Sequence, residues 1–166
     1  MKKYIALAAL GAAIATPAYA APGDTATAEG AATATVVAPI TLTHDDGAVL
    51  AFGTFTAGDG GVIRVTRAGN GIVDSGNVEL LSDSVESADS FTVGGDADRA
   101  FTVTTTDGQV QETGGATMDF TTNAAGTGTL DATGAATFAV GGSLTVGAAQ
   151  TPGDYTGTYD ATVTYN

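Results

Sequence analysis

Along this chain apolar and polar residues change places at every second position, in short runs separated by glycine- and aspartate-rich stretches. A period of two with turn punctuation predicts half-buried β-strands. The runs predict strands near 33–43, 48–56, 61–67, 77–81, 90–94, 100–106, 116–122, 135–146 and 154–165. Between them lie "HDDG", "AGDGG", "RAGNG", "GGDADR", "TDGQ", "TGGA", "AAGTG" and "TPGD", all rich in residues that accept turn geometry. No segment beyond residue 20 carries a 3.6-residue period. Many short strands at this spacing predict an all-β fold of about seven to nine strands, an antiparallel sandwich or a barrel. Phe52, Phe55, Phe91, Phe101, Phe120 and Phe138, set within the alternating runs, supply core material and argue against disorder.

Alternation is clearest at the two ends. In "YTGTYDATVTYN", Tyr155, Gly157, Tyr159, Ala161, Val163 and Tyr165 share one face, and Thr156, Thr158, Asp160, Thr162, Thr164 and Asn166 share the other. One strand is predicted here, with Tyr155, Tyr159, Val163 and Tyr165 pointing inward. At the front, one parity holds from Thr25 to Thr43, which spans 19 residues. Fully extended, that run reaches roughly 60 Å, whereas sandwich strands rarely exceed about 10 residues. Val36–Leu42 is predicted to be the domain's own first strand, with Pro39 on its polar side as an edge strand tolerates. Residues 25–35 are then surplus. Ala26, Ala28, Gly30, Ala32, Ala34 and Val36 line one face of that surplus run. The plain reading is an unstructured Ala/Thr leader. The sharper one is a donor strand that pairs with the sheet of another molecule, whose final strand leaves an edge to be filled.

The first residues, "MKKYIALAALGAAIATPAYA", place Lys2 and Lys3 before an apolar run and a small-x-small site at Ala18-Tyr19-Ala20. That is the form of a secretory signal peptide and too short for a membrane span. The expected organisation is a cleaved signal at 1–20, an extension at 21–35 and a β-sandwich domain at 36–166, exported to the cell surface. Cleavage removes both lysines. The formal charge then becomes 3 − 18 = −15, from Arg64, Arg67 and Arg99 against 18 acids. This balance argues against nucleic acid and anionic lipid as partners. There is no cysteine, so stability rests on the core. A membrane β-barrel is the rival architecture, but most runs are shorter than its roughly 9–11-residue strands and their outer faces carry Thr and Asp.

Candidate chemistry is sparse. His44, in "THDDG", is the one histidine, and no nucleophile elbow or zinc-ligand cluster accompanies it. It reads as a turn residue. Asp45-Asp46 and Asp96-x-Asp98 read as solvated turn acids. Calcium would be their best functional use, yet neither has the ligand spacing of a calcium loop. No catalytic residue, metal or cofactor is predicted.

The C-terminal stretch resembles the subunits of chaperone–usher pili and related spore-coat-like secreted β-sandwiches. The resemblance rests on the penultimate Tyr165 and on Gly153, 14th from the end, within "TPGDYTGTYDATVTYN". "VVAPITL…LAFGTF", from Val36 to Phe55, resembles an uncharacterised branch of secreted bacterial β-proteins related to those pilins. The resemblance implies an immunoglobulin-like antiparallel β-sandwich, incomplete and completed by a donor strand from a neighbouring subunit. It implies a homopolymeric surface fibre, with a periplasmic chaperone and an outer-membrane usher as assembly partners. The alternative is a monomeric secreted or surface-associated β-sandwich that binds a ligand or coats the cell. The chain departs from better-known pilins in lacking a disulfide and in having an Ala-rich donor candidate.

Overall fold

The computed structural model describes residue 23 and residues 25–166. The predicted signal peptide lies outside the described residues. Contacts divide the chain after Thr35 into two units. In the first, residues 25–35 are exposed and take no helix or strand.

The second unit carries thirteen strands: β1 Thr41–His44, β2 Phe55–Thr56, β3 Gly61–Val65, β4 Gly71–Gly76, β5 Glu79–Leu80, β6 Asp89–Gly94, β7 Ala100–Thr105, β8 Gly108–Glu112, β9 Thr117–Ala124, β10 Thr127–Thr129, β11 Ala135–Val146, β12 Tyr155–Gly157 and β13 Ala161–Tyr165. No helix occurs among the described residues, and every pairing is antiparallel. The fold is an all-β sandwich. Its main sheet is curled into a half-barrel.

β11 organises the molecule because it is 12 residues long and pairs with different neighbours along its length. Its first half, Ala135–Val140, pairs with β6, and its second half, Gly142–Val146, pairs with β3. On its other edge β9 pairs with Val140–Leu144. Gly141 and Gly142 sit where these neighbours meet. A Cβ at Gly141 would press on the Val65 carbonyl oxygen, and one at Gly142 on that of Thr121, so only glycine lets three backbones approach here.

The alternation predicts the buried faces well. On β6, Phe91 and Val93 are buried while Ser90 and Thr92 are only partly so. Two cores result. The first gathers Phe52, Ile63, Val78, Phe120 and Leu144 among others, within the half-barrel. The second lies between the β1–β6–β11 region and the three-stranded sheet β10–β7–β13, around Phe91, Phe101, Leu130 and Phe138. Tyr159 packs against both.

Several expectations need correction. Thirteen strands form where about seven to nine are expected, and the run at 48–56 is a strand only at Phe55–Thr56, with one isolated bridge at Ala51. The strand foreseen at 33–43 is regular only at Thr41–His44. Pro39 lacks an amide donor, and β6 offers partners only from Thr41 onward. The single strand foreseen at 154–165 is two strands in two sheets: β12 pairs with β8, β13 with β7. The chain changes sheets through Thr158–Asp160. There the Thr106 N–H donates to the Asp160 carbonyl (2.9 Å) and the Asp160 N–H to the Thr106 hydroxyl (2.9 Å). The parity survives the break, with Tyr155, Tyr159, Ala161, Val163 and Tyr165 half-buried and Thr162 and Thr164 exposed. Finally, β4, β8 and β10 lie outside the foreseen strands; β4 forms a hairpin with β3 and β8 one with β9, while β10 pairs with β7 across the intervening β8–β9 hairpin.

Candidate functional site

Going round the first core, β12 pairs with β8, β8 with β9, β9 with β11, β11 with β3 and β3 with β4. β4 leads through Asn77 and Val78 into β5, which pairs with β2. There the ring stops. Among the described residues β2 has no partner besides β5, and β12 none besides β8. Between them runs a groove of about 1170 Å³, walled by residues 48–57 on one side and 150–159 on the other. Its floor is apolar, with Phe52, Phe91, Val110, Met118, Phe120 and Leu144. Val49 and Val85 stand at its margin, 56 % and 77 % exposed.

The amino-terminal wall is fastened from behind. Ala51 and Ser87 exchange N–H···O bonds of 2.9 and 3.1 Å, and the Leu81 N–H donates to the Thr54 carbonyl at 3.0 Å. The Thr54 N–H donates to the Ser84 hydroxyl (2.8 Å), and the Ser87 hydroxyl to the Val49 carbonyl (2.6 Å). These bonds bind one edge of the wall to the 81–88 loop. The intervening Leu50 and Phe52 backbones make no hydrogen bond among the described residues. On the opposite wall the Tyr155 hydroxyl donates to the Thr151 carbonyl (2.6 Å) and accepts from Gln150 Nε2 (2.9 Å), which shapes the turn before β12.

A polar node sits among these apolar side chains. Asp89, only 5 % exposed, is the one charged residue in the buried set. Its Oδ1 accepts from the Ser90 N–H (2.8 Å) and lies 2.7 Å from His44 Nε2, which must carry its proton to serve a carboxylate. Oδ2 accepts from the Tyr159 hydroxyl at 2.7 Å. Burial first, then this bond to Asp89, raises the Tyr159 phenol far above its ordinary value. The Tyr159 ring meets Phe91 and Phe120 edge-on, with centroids 6.3 and 6.2 Å away. Asp45, beside His44, takes the Ser90 and Thr92 hydroxyls, and these bonds lower its carboxyl below the usual range. His44 is thus the last residue of a strand and an acid's partner, not a turn residue.

The positions singled out from the sequence fall into three places. Ala26, Ala28, Gly30, Ala32 and Ala34 are exposed in the first unit, and Val36 is 95 % exposed at the start of the second. Gly153, Tyr155 and Tyr159 line the groove. Val163 and Tyr165 belong to β13 and the second core, where the Tyr165 hydroxyl donates to the Ala38 carbonyl (3.1 Å) and accepts from the Asp96 N–H (2.7 Å). Sequence reasoning missed Asp89 and the groove's amino-terminal wall. An acid opening the apolar alternation of "DSFTV" was the available signal for the first. Among the described residues no three His, Asp or Glu side chains stand together as a metal site.

The family model for a domain of unknown function, DUF4402, matches residues 40–165. The chain belongs to that family. The DUF4402 span takes in every strand, both cores and the whole groove, and leaves residues 25–39 outside. No curated protein and no solved structure gives a match.

Proposed function

We propose that this DUF4402 protein is a structural subunit of an extracellular, pilus-like filament, exported by its signal peptide. In it the open ring of one copy is completed by residues 25–36 of the next. The single observation behind this is the open groove between β2 and β12, apolar below and with unpaired backbone on both sides. Residues 25–35 supply the complementary half, being exposed, free of helix and strand, and alternating throughout except at Ala31. Strand addition gives affinity through main-chain bonds, each worth about 0.5–1.5 kcal/mol net, and selectivity through the side chains that point down. Ala26, Ala28, Gly30, Ala32, Ala34 and Val36 are the inward set of the donor, and Tyr155 with Gly153 frames the acceptor. The protein is not an enzyme on this reading. Other copies of itself are its principal partners, with the chaperone and usher that the pilin resemblance implies as assembly factors.

A second reading is favoured by one feature. Four phenylalanines, Phe52, Phe55, Phe91 and Phe120, line the groove, and small donor side chains fill such a floor incompletely. A monomeric surface protein that takes a bulkier apolar ligand there would suit the same shape.

The test deletes residues 24–34 from the mature protein and follows assembly by light scattering and negative-stain microscopy. The expected result is loss of filaments with retained monomer, and occupation of the groove by a peptide spanning residues 24–36. Filaments that persist unchanged would refute the proposal. A wild-type chain that stays monomeric and binds apolar ligands would establish the second reading.

A further inference from the structure

We propose that Asp89 is the positioning residue of the groove, and that its negative charge holds the carboxy-terminal wall where a strand can enter. This inference rests on the strand-accepting reading for its consequence, while the latch itself stands on geometry. The three donors around the carboxylate come from three different parts of the fold: His44 ends β1, Ser90 follows Asp89 in β6, and Tyr159 lies in the crossover between β12 and β13. Tyr159 makes the one hydrogen bond, among the described residues, that ties the 150–159 wall to β6.

The node is built around charge. Donors to an ionised acceptor form bonds about twice as strong as neutral pairs, and all three here serve the same carboxylate. Other titratable groups near it are acids: Asp45 on the turn after β1, engaged by Ser90 and Thr92; Asp154 on the carboxy-terminal wall; and Glu86 in the 81–88 loop, engaged by the Ser84 hydroxyl. Among the described residues no lysine or arginine lines the groove. An amide in place of the carboxylate deprives His44 of its anionic partner and Tyr159 of its charged acceptor. The wall is then free to move away from β6, which changes the groove's width and its hold on a strand.

The experiment uses the mature full chain, with Asp89→Asn, Tyr159→Phe and, as a control acid in the same groove, Asp154→Asn. Amide exchange of residues 155–159, corrected for intrinsic rates, is followed at neutral pH, with filament mass measured on the same samples. Relative to the wild type, Asp89→Asn raises wall exchange by roughly tenfold or more, the loss of one bond to a charged group. Asp154→Asn follows the wild type. Tyr159→Phe, which keeps the His44–Asp89 pair, raises exchange by a similar factor and serves if Asp89→Asn does not fold. Wild-type exchange in both Asp89→Asn and Tyr159→Phe would overturn the proposal. If the variants respond as expected but no filament ever forms, the latch stands and the filament reading fails. If filaments form and the variants leave the wall unchanged, the reverse holds.

Discussion

Replacing Tyr159 by phenylalanine removes one oxygen and leaves the ring where it is. Its edge-on contacts with Phe91 and Phe120, at 6.3 and 6.2 Å, are kept, and so is the burial that places Tyr159 against both cores. What goes is the donor to Asp89 Oδ2, a 2.7 Å bond to a carboxylate that is 5 % exposed. A bond to a charged group contributes about 1.5–3 kcal/mol, and a buried acceptor stripped of its donor keeps its desolvation cost. For a domain of this size each kcal/mol moves Tm by about 3–5 °C, so the variant should melt roughly 5–15 °C lower at neutral pH. The pH dependence gives an independent check. The folded-state phenol is raised by burial and by Asp89, so its contribution is fully present below the ordinary tyrosine value of about 10 and is lost as pH climbs above it. Over that range the unfolded chain releases a proton that the folded chain retains, which costs about 1.4 kcal/mol per pH unit. Urea unfolding from pH 7 to 11 should therefore show the variant starting lower and declining less steeply above pH 10 than the wild type. Equal stability at pH 7 together with an unchanged alkaline slope would refute the role assigned to this hydroxyl.

Val163→Asp, which drives a charge into the second core from β13, should cost the burial of a branched side chain, about 1.5–3 kcal/mol, plus desolvation, and abolish folding or export; Thr162→Asp, one residue away on the exposed face, should be mild in the same expression and melting assays. Gly76→Ala should destabilise by more than the usual loop substitution, by roughly 1–3 kcal/mol in denaturant melts, because φ is +84° and a Cβ would press on the Gly60 carbonyl and the Gly61 Cα. Because the chain has no cysteine, a Thr27→Cys, Thr156→Cys double variant, with both side chains on the outward face, reports strand addition cleanly: oxidised filaments should run as covalent ladders on denaturing gels, whereas a single variant should stop at the dimer.

Local pattern was enough for much of this protein. A two-residue period is a property of neighbours in the chain, so the inward set Tyr155, Tyr159, Val163 and Tyr165 could be read without knowing what each would touch. Turn chemistry is equally local: Gly47, Gly58 and Gly69 take positive φ within the turns that "HDDG", "AGDGG" and "RAGNG" announce. The lack of cysteine and the alternating runs were enough to foresee an all-β sandwich held by its core. Which strand lies beside which is another matter. β6 finds β1 and β11, and β11 changes partners at Gly141–Gly142, because two apolar faces must be buried at once and only one arrangement of long-range pairs does so. Asp89 and Tyr159 are 70 residues apart, and nothing near either one in the chain signals the other. The break between β12 and β13 keeps the parity of the run it interrupts, which is why the alternation could not reveal it. The open groove is decided the same way. It is the absence of a partner on β2 and on β12, and whether a strand lacks a neighbour is fixed by the closure of the whole ring rather than by the residues within the strand.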